Sequence, residues 1–207
     1  MNMHAKINSR CVTLMLADKR IAFPELAVPK SIKDGKPRFG VRLIIDPSDP
    51  DVAVLDAAMR EVALAQWKDS GEAALGMLTD KDRVCFSKKE YRNQEGKVYA
   101  GFEGKYHLAA NSPQEKRPTV FNAYGEPVTG KDDIARLIYS GCYANAKVEV
   151  YPLVRADGNR INCSLLGVMF AGEGQHFGGG SGPASADDFS AFAKTPTNPL
   201  EDASSVL

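Results

Sequence analysis

The segment from Gly141 to Phe170 has a pattern that strongly limits the fold. Every second residue from Cys142 to Val150 is apolar or small, which is the period-two pattern of a strand with one buried face. Asp157-Gly158 is a strong tight-turn signal, and a second apolar strand follows from Ile161 to Phe170. The segment therefore predicts an antiparallel hairpin.

Three more strands and one helix are predicted upstream of this hairpin. Apolar runs indicate strands at residues 10–17, 39–45 and 105–110. Asp49-Pro50-Asp51 has the composition of a helix start, and apolar residues then recur every three or four positions to about Trp67. Because one helix cannot connect a parallel sheet of five strands, we expect a mainly β fold, a five-stranded antiparallel OB-type barrel with one amphipathic helix.

The remaining chain is interpreted as loops and a tail. Residues 71–104 mix charged and aromatic residues with five glycines, which indicates long loops of the kind that carry function. We expect residues 1–172 to form the barrel domain. Residues 173–207 contain a Gly-rich stretch and no hydrophobic periodicity, so they predict a flexible linker followed by an acidic, disordered tail.

The formal net charge of zero hides two oppositely charged parts. Residues 1–172 hold 25 bases and 21 acids, whereas residues 173–207 hold one base and five acids. A basic folded part followed by an acidic arm is typical of a protein that binds a polyanion. The N-terminal residues have no apolar signal-peptide core and no run of about 18 apolar residues occurs, so we expect a cytosolic protein outside the membrane.

The sequence contains no pattern that predicts an active site or a cofactor. Gly125 to Lys131 has the spacing of a phosphate-binding loop, but Asp132 stands where a hydroxyl should bind magnesium. The three histidines are too far apart for a zinc site, and the four cysteines lack a C-x-x-C pair. We therefore expect a protein that is not an enzyme, with no cofactor or metal and with reduced cysteines.

Cations and aromatic rings alternate between Arg83 and Tyr106. Single-stranded nucleic acid needs this mixture, because lysine and arginine neutralise phosphates while unpaired bases stack on rings. The predicted phosphate-binding residues are Lys88, Lys89, Arg92, Lys105, Arg117 and Lys147, and the predicted stacking residues are Tyr91, Tyr99, Tyr106 and Tyr143. A duplex-DNA or RNA binder, and a protein-interaction module that binds no nucleic acid, remain alternatives.

Four groups of residues resemble the single-stranded-DNA-binding proteins of bacteriophages, a family with an OB-type barrel and an acidic C-terminal tail. The groups are Phe23-Pro24 with Lys36-Pro37-Arg38-Phe39, residues 105–112 followed by Arg117-Pro118, residues 139–143 with Val150-Tyr151, and Gly178-Gly179 followed by residues 185–189. They occur in the expected order over most of the chain.

This resemblance implies a protein that coats single-stranded DNA during phage replication, recombination and repair in the cytoplasm of the infected bacterial host. It also implies a homodimer, and a tail that recruits polymerase, helicase or primase and competes with DNA. The tail residues expected to do so are Asp187, Asp188, Phe189, Phe192, Glu201 and Asp202. The chain continues past Phe189 to an aliphatic end, which departs from a tail that ends in its aromatic residue.

Overall fold

A computed structural model describes residues 6–8, 10–31, 35–177 and residue 192 of the chain. Within these residues one sheet contains nine strands: β1 (Lys6–Asn8), β2 (Cys11–Lys30), β3 (Arg38–Ile45), β4 (Phe86–Ser87), β5 (Tyr106–Pro113), β6 (Thr119–Phe121), β7 (Pro127–Val128), β8 (Tyr143–Leu153) and β9 (Arg160–Gly172). The same residues contain the helices α1 (Asp51–Trp67), α2 (Gly71–Asp80) and α3 (Lys131–Leu137).

Five of these strands close into a barrel. Their order around the barrel is β5-β3-β2-β8-β9, with antiparallel pairing between neighbours. A parallel bridge between Asn111 in β5 and Ser164 in β9 joins the two ends. Numbered along the chain, the barrel strands run 1-2-3-5-4 and back to 1, and the predicted OB-type barrel with its final hairpin is confirmed.

The first barrel strand, β2, is far longer than the predicted segment 10–17. Its first part pairs with β8 and its second part pairs with β3, so the strand bends between its two pairing partners. Register shifts mark the bends, and two residues near them, Asp18 and Phe23, have positive φ angles of 53° and 51°. Such bulges let a strand turn a barrel corner and change the direction of a side chain.

The core lies inside the barrel and under α1. Every second residue of β3, from Val41 through Leu43 to Ile45, faces this core, and α1 adds Leu55, Met59 and Val62. The start of α1 is tied to β2 by Lys19, whose ammonium lies 2.7 Å from Asp49 and 2.8 Å from Asp51. Burial would lower the pKa of Lys19, but hydrogen bonds to these two carboxylates outweigh it and raise the pKa.

The prediction of loops throughout residues 71–104 is wrong for the first ten residues, which form α2. A 3₁₀ turn at Lys68–Ser70 separates α2 from α1. Gly71 allows the close approach of the two helices, because a Cβ there would lie 2.8 Å from Leu64 Cα. Two of the five glycines that suggested loops, Gly71 and Gly76, therefore lie in a helix, and helix packing requires Gly71.

The chain divides after Phe177 into two compact units. Five residues of the predicted linker, Glu173 to Phe177, belong to the first unit and contact the barrel. In the second unit the structure describes Phe192 alone, whose side chain is exposed, so the other predicted tail residues lie outside the described part. No helix among the described residues is long and apolar enough to span a membrane.

Candidate nucleic-acid interface

The outer surface of β3 and β5 lies between two loops that OB-type barrels use to bind oligonucleotides. These loops join the first barrel strand to the second, at residues 31–37, and the fourth to the fifth, at residues 154–159. On β3, Gly40, Arg42 and Ile44 alternate with the core residues and therefore face outward. This surface is where the fold would place a nucleic-acid strand.

A concave surface crosses β3 and β5 between the two loops. It consists of two adjoining depressions that share Arg38, Ala109 and Asn111. We call it the basic groove, because the charged side chains that line it are six cations and two acids. The cations are Lys30, Lys36, Arg38, Arg42, Arg155 and Arg160, and the acids are Glu25 and Asp157.

Both acids of the groove are paired with groove cations. Glu25 lies 3.2 Å from Lys30, and Asp157 lies 3.6 Å from Arg160. Arg38 and Arg155 have no carboxylate within salt-bridge distance among the residues that the structure describes. The groove thus keeps a clear excess of positive charge.

Four aromatic rings stand at one end of the groove and form what we call the aromatic platform: Phe23, Tyr91, Tyr99 and Phe102. Tyr91 and Tyr99 are stacked with centroids 5.1 Å apart, and Phe23 meets Tyr99 edge-on at 5.0 Å. Phe102 is completely buried beneath them, whereas 41% of Phe23 is exposed. The platform therefore exposes the Phe23 ring, which packs against the other three rings.

The backbone of Phe23 is strained in a way that exposes this ring. A φ of 51° is rare for an aromatic residue, and such strained residues cluster at ligand-binding sites. Only one of the four rings, Phe23, comes from a barrel strand, since Tyr91, Tyr99 and Phe102 lie on the segment that joins β4 to β5. That segment folds back over Ala22 and Ile44 on the outer face.

Arg42 links the platform to the groove. Its guanidinium lies 3.7 Å from the centroid of the Tyr91 ring and donates a hydrogen bond of 3.2 Å to Nδ1 of His107. Burial and then the neighbouring charge of Arg42 lower the pKa of His107 to about 4. His107 is therefore neutral near pH 7 and accepts this bond, which holds Arg42 against the ring.

The sequence matches, over residues 12–199, a family described as the ssDNA-binding protein of Enterobacter phage Enc34. The chain belongs to the Enc34 ssDNA-binding protein family. It is also similar to protein p50 of Acyrthosiphon pisum secondary endosymbiont phage 1, with 31% identity over 180 residues that cover 85% of this chain and 91% of p50. The predicted resemblance to phage single-stranded-DNA-binding proteins is thereby confirmed.

Solved structures of the Enc34 protein share the barrel. The single-stranded DNA-binding protein from bacteriophage Enc34 has a TM-score of 0.63 and 21% identity, covering 91% of this chain and 97% of that protein. The same protein in complex with ssDNA has a TM-score of 0.61 and 20% identity, covering 84% and 97%. At these identities the likeness shows the common fold.

In this member of the Enc34 family, two of the ten predicted DNA-binding residues, Tyr91 and Tyr99, lie in the platform. Four predicted cations are paired with nearby carboxylates outside the groove lining: Lys88 with Asp56, Lys89 with Asp82, Arg92 with Glu90 and Lys105 with Asp46. The hydrogen bond from Lys105 is the main reason that the pKa of Asp46 is well below its usual value.

The other four predicted residues lie in separate places. Tyr106 packs edge-on against Phe86 at 6.2 Å and contacts the core. Arg117 donates to the carbonyl oxygens of Leu26 and Ala27 at 3.2 Å each. Tyr143 is half-buried beside Arg20, and Lys147 is exposed on β8, which adjoins neither β3 nor β5.

Sequence reasoning missed most of the groove. The resemblance includes Phe23, Lys36 and Arg38 without giving them a role, and no sequence pattern singles out Arg155 or Arg160. The signal that could have found them is topological: once the OB strand order is assumed, residues 31–37 and 154–159 become the loops that border the binding face.

Metal and thiol chemistry do not add to this site in the part of the chain that is described. There, no group of three or more His, Cys, Asp and Glu side chains could hold a metal ion. The cysteines carry free thiols, as the sequence predicted, and Cys85, Cys142 and Cys163 are buried. Burial raises the pKa of Cys142 to about 11, so this thiol is unreactive near neutral pH.

Proposed function

We propose that the basic groove and the aromatic platform bind single-stranded DNA without catalysing a reaction and with little dependence on sequence. The observation that carries this proposal is the position of an exposed, strained aromatic ring, Phe23, at the edge of a cationic groove on the binding face of an OB-type barrel. Membership of the Enc34 family supports it, because the Enc34 protein has been solved in complex with ssDNA.

Two kinds of contact would contribute. The guanidinium and ammonium groups of the groove would neutralise phosphates, which gives affinity without reading bases. Phe23, with Tyr91 behind it, would receive a base, and stacking of this kind contributes roughly 1–3 kcal/mol per base. In a duplex the faces of the paired bases are stacked on each other and cannot contact the exposed Phe23 ring. Stacking on this ring therefore favours single strands over duplex.

The predicted cations outside the groove remain part of the proposal with a smaller role. Lys88, Lys89 and Lys105 would have to exchange a carboxylate for a phosphate, so each would contribute less than a groove cation without such a partner. Lys147 would contact DNA only if a strand passed around to the β8 side of the barrel.

We further propose that this protein acts in phage DNA replication, recombination and repair in the cytoplasm of the bacterial host, as a homodimer. The acidic residues of the tail would compete with DNA for the groove and would recruit polymerase, helicase or primase. Support for competition is electrostatic: residues 173–207 hold five acids and one base, and the formal excess of positive charge in residues 1–172 lies in the groove lining. A tethered competitor acts at an effective concentration on the order of millimolar.

The test is a titration of the full chain with fluorescent single-stranded DNA, duplex DNA and RNA of one sequence over a range of salt concentrations. If four to six phosphates are neutralised, the logarithm of affinity for single-stranded DNA should fall against the logarithm of salt with a slope of about −2.8 to −4.2. Stronger binding of duplex or RNA would replace this proposal by a general nucleic-acid binder. Absence of binding to all three would leave the protein-interaction module.

A further inference from the structure

The residues that leave the barrel after β9, Glu173 to Phe177, form a short strap across its surface. The N–H of Gly174 donates to the hydroxyl of Tyr139 at 3.0 Å, and this hydroxyl also contacts the Glu173 carboxylate. The His176 ring is stacked on Tyr139 with centroids 3.9 Å apart. Burial and the hydrogen bond to Glu173 raise the pKa of Tyr139, so it stays protonated near neutral pH.

The end of the strap reaches the aromatic platform. The N–H of Phe177 donates to the carbonyl oxygen of Ser140 at 2.9 Å, and Arg20 donates to the Gln175 carbonyl oxygen at 2.7 Å. The Arg20 guanidinium lies 4.2 Å from the centroid of the Phe177 ring. This ring packs against the buried cluster that contains Phe102 and supports Tyr91 and Tyr99.

Three glycines allow the strap to lie this close. A Cβ on Gly174 would lie 2.1 Å from the Gly141 carbonyl oxygen, and one on Gly141 would lie 2.1 Å from the Gln175 carbonyl oxygen. A Cβ on Gly101, in the segment that carries the platform tyrosines, would lie 2.3 Å from the Phe177 ring. By contrast, a Cβ on Gly172, two residues before Gly174, would meet nothing within 4 Å.

We propose that the strap is a positioning element for DNA binding: by packing Phe177 against the 91–104 segment, it holds the platform rings in the arrangement that a base meets. This inference rests on the proposed function of the platform. The segment 91–104 has few contacts of its own with the barrel interior, since its buried cluster contains only Ala22, Ile44 and Phe102. Removing the Phe177 ring would uncover one side of that small cluster and leave the tyrosines free to change orientation.

The strap also joins the platform in sequence to residues 178–207, which hold four of the five acids of residues 173–207. Binding energy depends on pre-organisation, because ordering a loop during binding reduces the net affinity. The strap supplies that order before DNA arrives. Its effect is a matter of packing, and it should therefore persist at salt concentrations that screen charges.

Two full-length variants and one matched control test this inference. Gly174→Ala forces the strap away from Gly141, and Phe177→Ala removes the packing ring, whereas Gly172→Ala makes the same chemical change as Gly174→Ala in open space. Both strap variants should bind single-stranded DNA about 5- to 20-fold more weakly, in the lower part of the range for the loss of one stacked base, with an unchanged salt slope. Gly172→Ala should bind like the unaltered chain.

Hydrogen exchange supplies a readout that a purely stabilising role would not move. Amides in residues 88–105 should exchange faster in both strap variants under conditions where the core strands stay protected, and Phe177→Leu should restore part of the protection and of the affinity. Unchanged affinity and exchange in folded Gly174→Ala and Phe177→Ala proteins would overturn the inference, as would an equal effect of Gly172→Ala. If the unaltered chain does not bind single-stranded DNA, the proposed function fails, and exchange in residues 88–105 still decides whether the strap holds the platform.

Discussion

Replacing Phe23 by glycine should separate stacking from charge in this protein. The φ of 51° at this position is costly for any residue with a Cβ and free for glycine, so Phe23→Gly removes the ring while the bulge in β2 keeps its shape. An alanine variant would retain the strain. Glycine is therefore the cleaner deletion.

The effect on folding should be moderate, because relief of backbone strain offsets only part of the contacts that the ring loses. The ring has three aromatic neighbours, Tyr99, Tyr91 and Phe102, at centroid distances of 5.0, 5.8 and 6.2 Å. Aromatic pairs contribute about 0.5–1.5 kcal/mol each beyond the burial of their area, and the partial exposure of Phe23 places this total near the lower end, about 1–2 kcal/mol. Loss of the buried part of the ring removes roughly 1–2 kcal/mol more. Relief of the left-handed backbone returns about 1 kcal/mol. The free energy of unfolding should therefore fall by about 1–3 kcal/mol.

The effect on DNA binding is measured on the folded variant. Losing one stacked base costs about 1–3 kcal/mol, which weakens binding about 5- to 150-fold at every salt concentration. Fluorescence anisotropy with a short oligonucleotide, repeated over a salt series, gives both the affinity and the slope. The slope should not change, because no cation has been removed.

Tyr124 provides the control for this experiment. It is 89% exposed in the turn between β6 and β7, outside the groove lining, so Tyr124→Gly should leave affinity unchanged. The reasoning about Phe23 would be refuted by unchanged affinity in the folded Phe23→Gly protein. It would also be refuted if the variant lost affinity only at low salt, because the ring would then act on the electrostatics of the groove.

Three further predictions concern charge. Arg38→Gln should flatten the salt slope by about 0.7, whereas Lys147→Gln, on β8 and outside the groove, should leave the slope unchanged. Equal effects of the two variants would mean that DNA follows a different path. Neutralising the four tail acids Asp187, Asp188, Glu201 and Asp202 in the full chain should tighten binding at low salt and have little effect at high salt, and unchanged affinity at low salt would reject competition by the tail. The folded-state pKa of His107 is about 4, below the ordinary 6.5, so between these pH values the unfolded chain binds more protons than the folded chain. The free energy of unfolding should therefore fall by roughly 2–3 kcal/mol as the pH drops from 6.5 to 4. Urea unfolding of the His107→Gln variant should lack this pH dependence.

The strands and α1 could be predicted from sequence because each has a simple relation to one core. In β8 and β9 one face is buried and the other is not, which produces the period-two pattern directly. The second half of β2 has no such pattern: it bends through a bulge at Phe23 and contains Pro24 and Pro29. A period-two pattern does not predict a strand at a position where the strand bends to pair with two different neighbours.

The proposed binding residues were harder to predict, because a segment rich in cations in the sequence need not form a surface rich in unpaired cations. In the structure Arg92 pairs with Glu90 from the same segment, whereas Lys88 and Lys105 pair with Asp56 and Asp46 from distant parts of the chain. Such pairing reduces the positive potential that a phosphate would meet. A basic sequence segment is thus a poor guide to a basic surface when the fold brings carboxylates against its cations.

The groove gathers its charge from distant parts of the chain instead. Its cations come from the end of β2, the loop before β3, β3 itself, the loop after β8 and the start of β9, which the closed barrel brings to one face. Setting aside the groove's six bases and two acids leaves residues 1–172 with 19 bases and 19 acids. The whole formal excess of positive charge in the body is therefore found in the groove lining. Long-range attraction of a polyanion should depend on these side chains, and neutralising exposed lysines elsewhere should change the association rate much less than Arg38→Gln does.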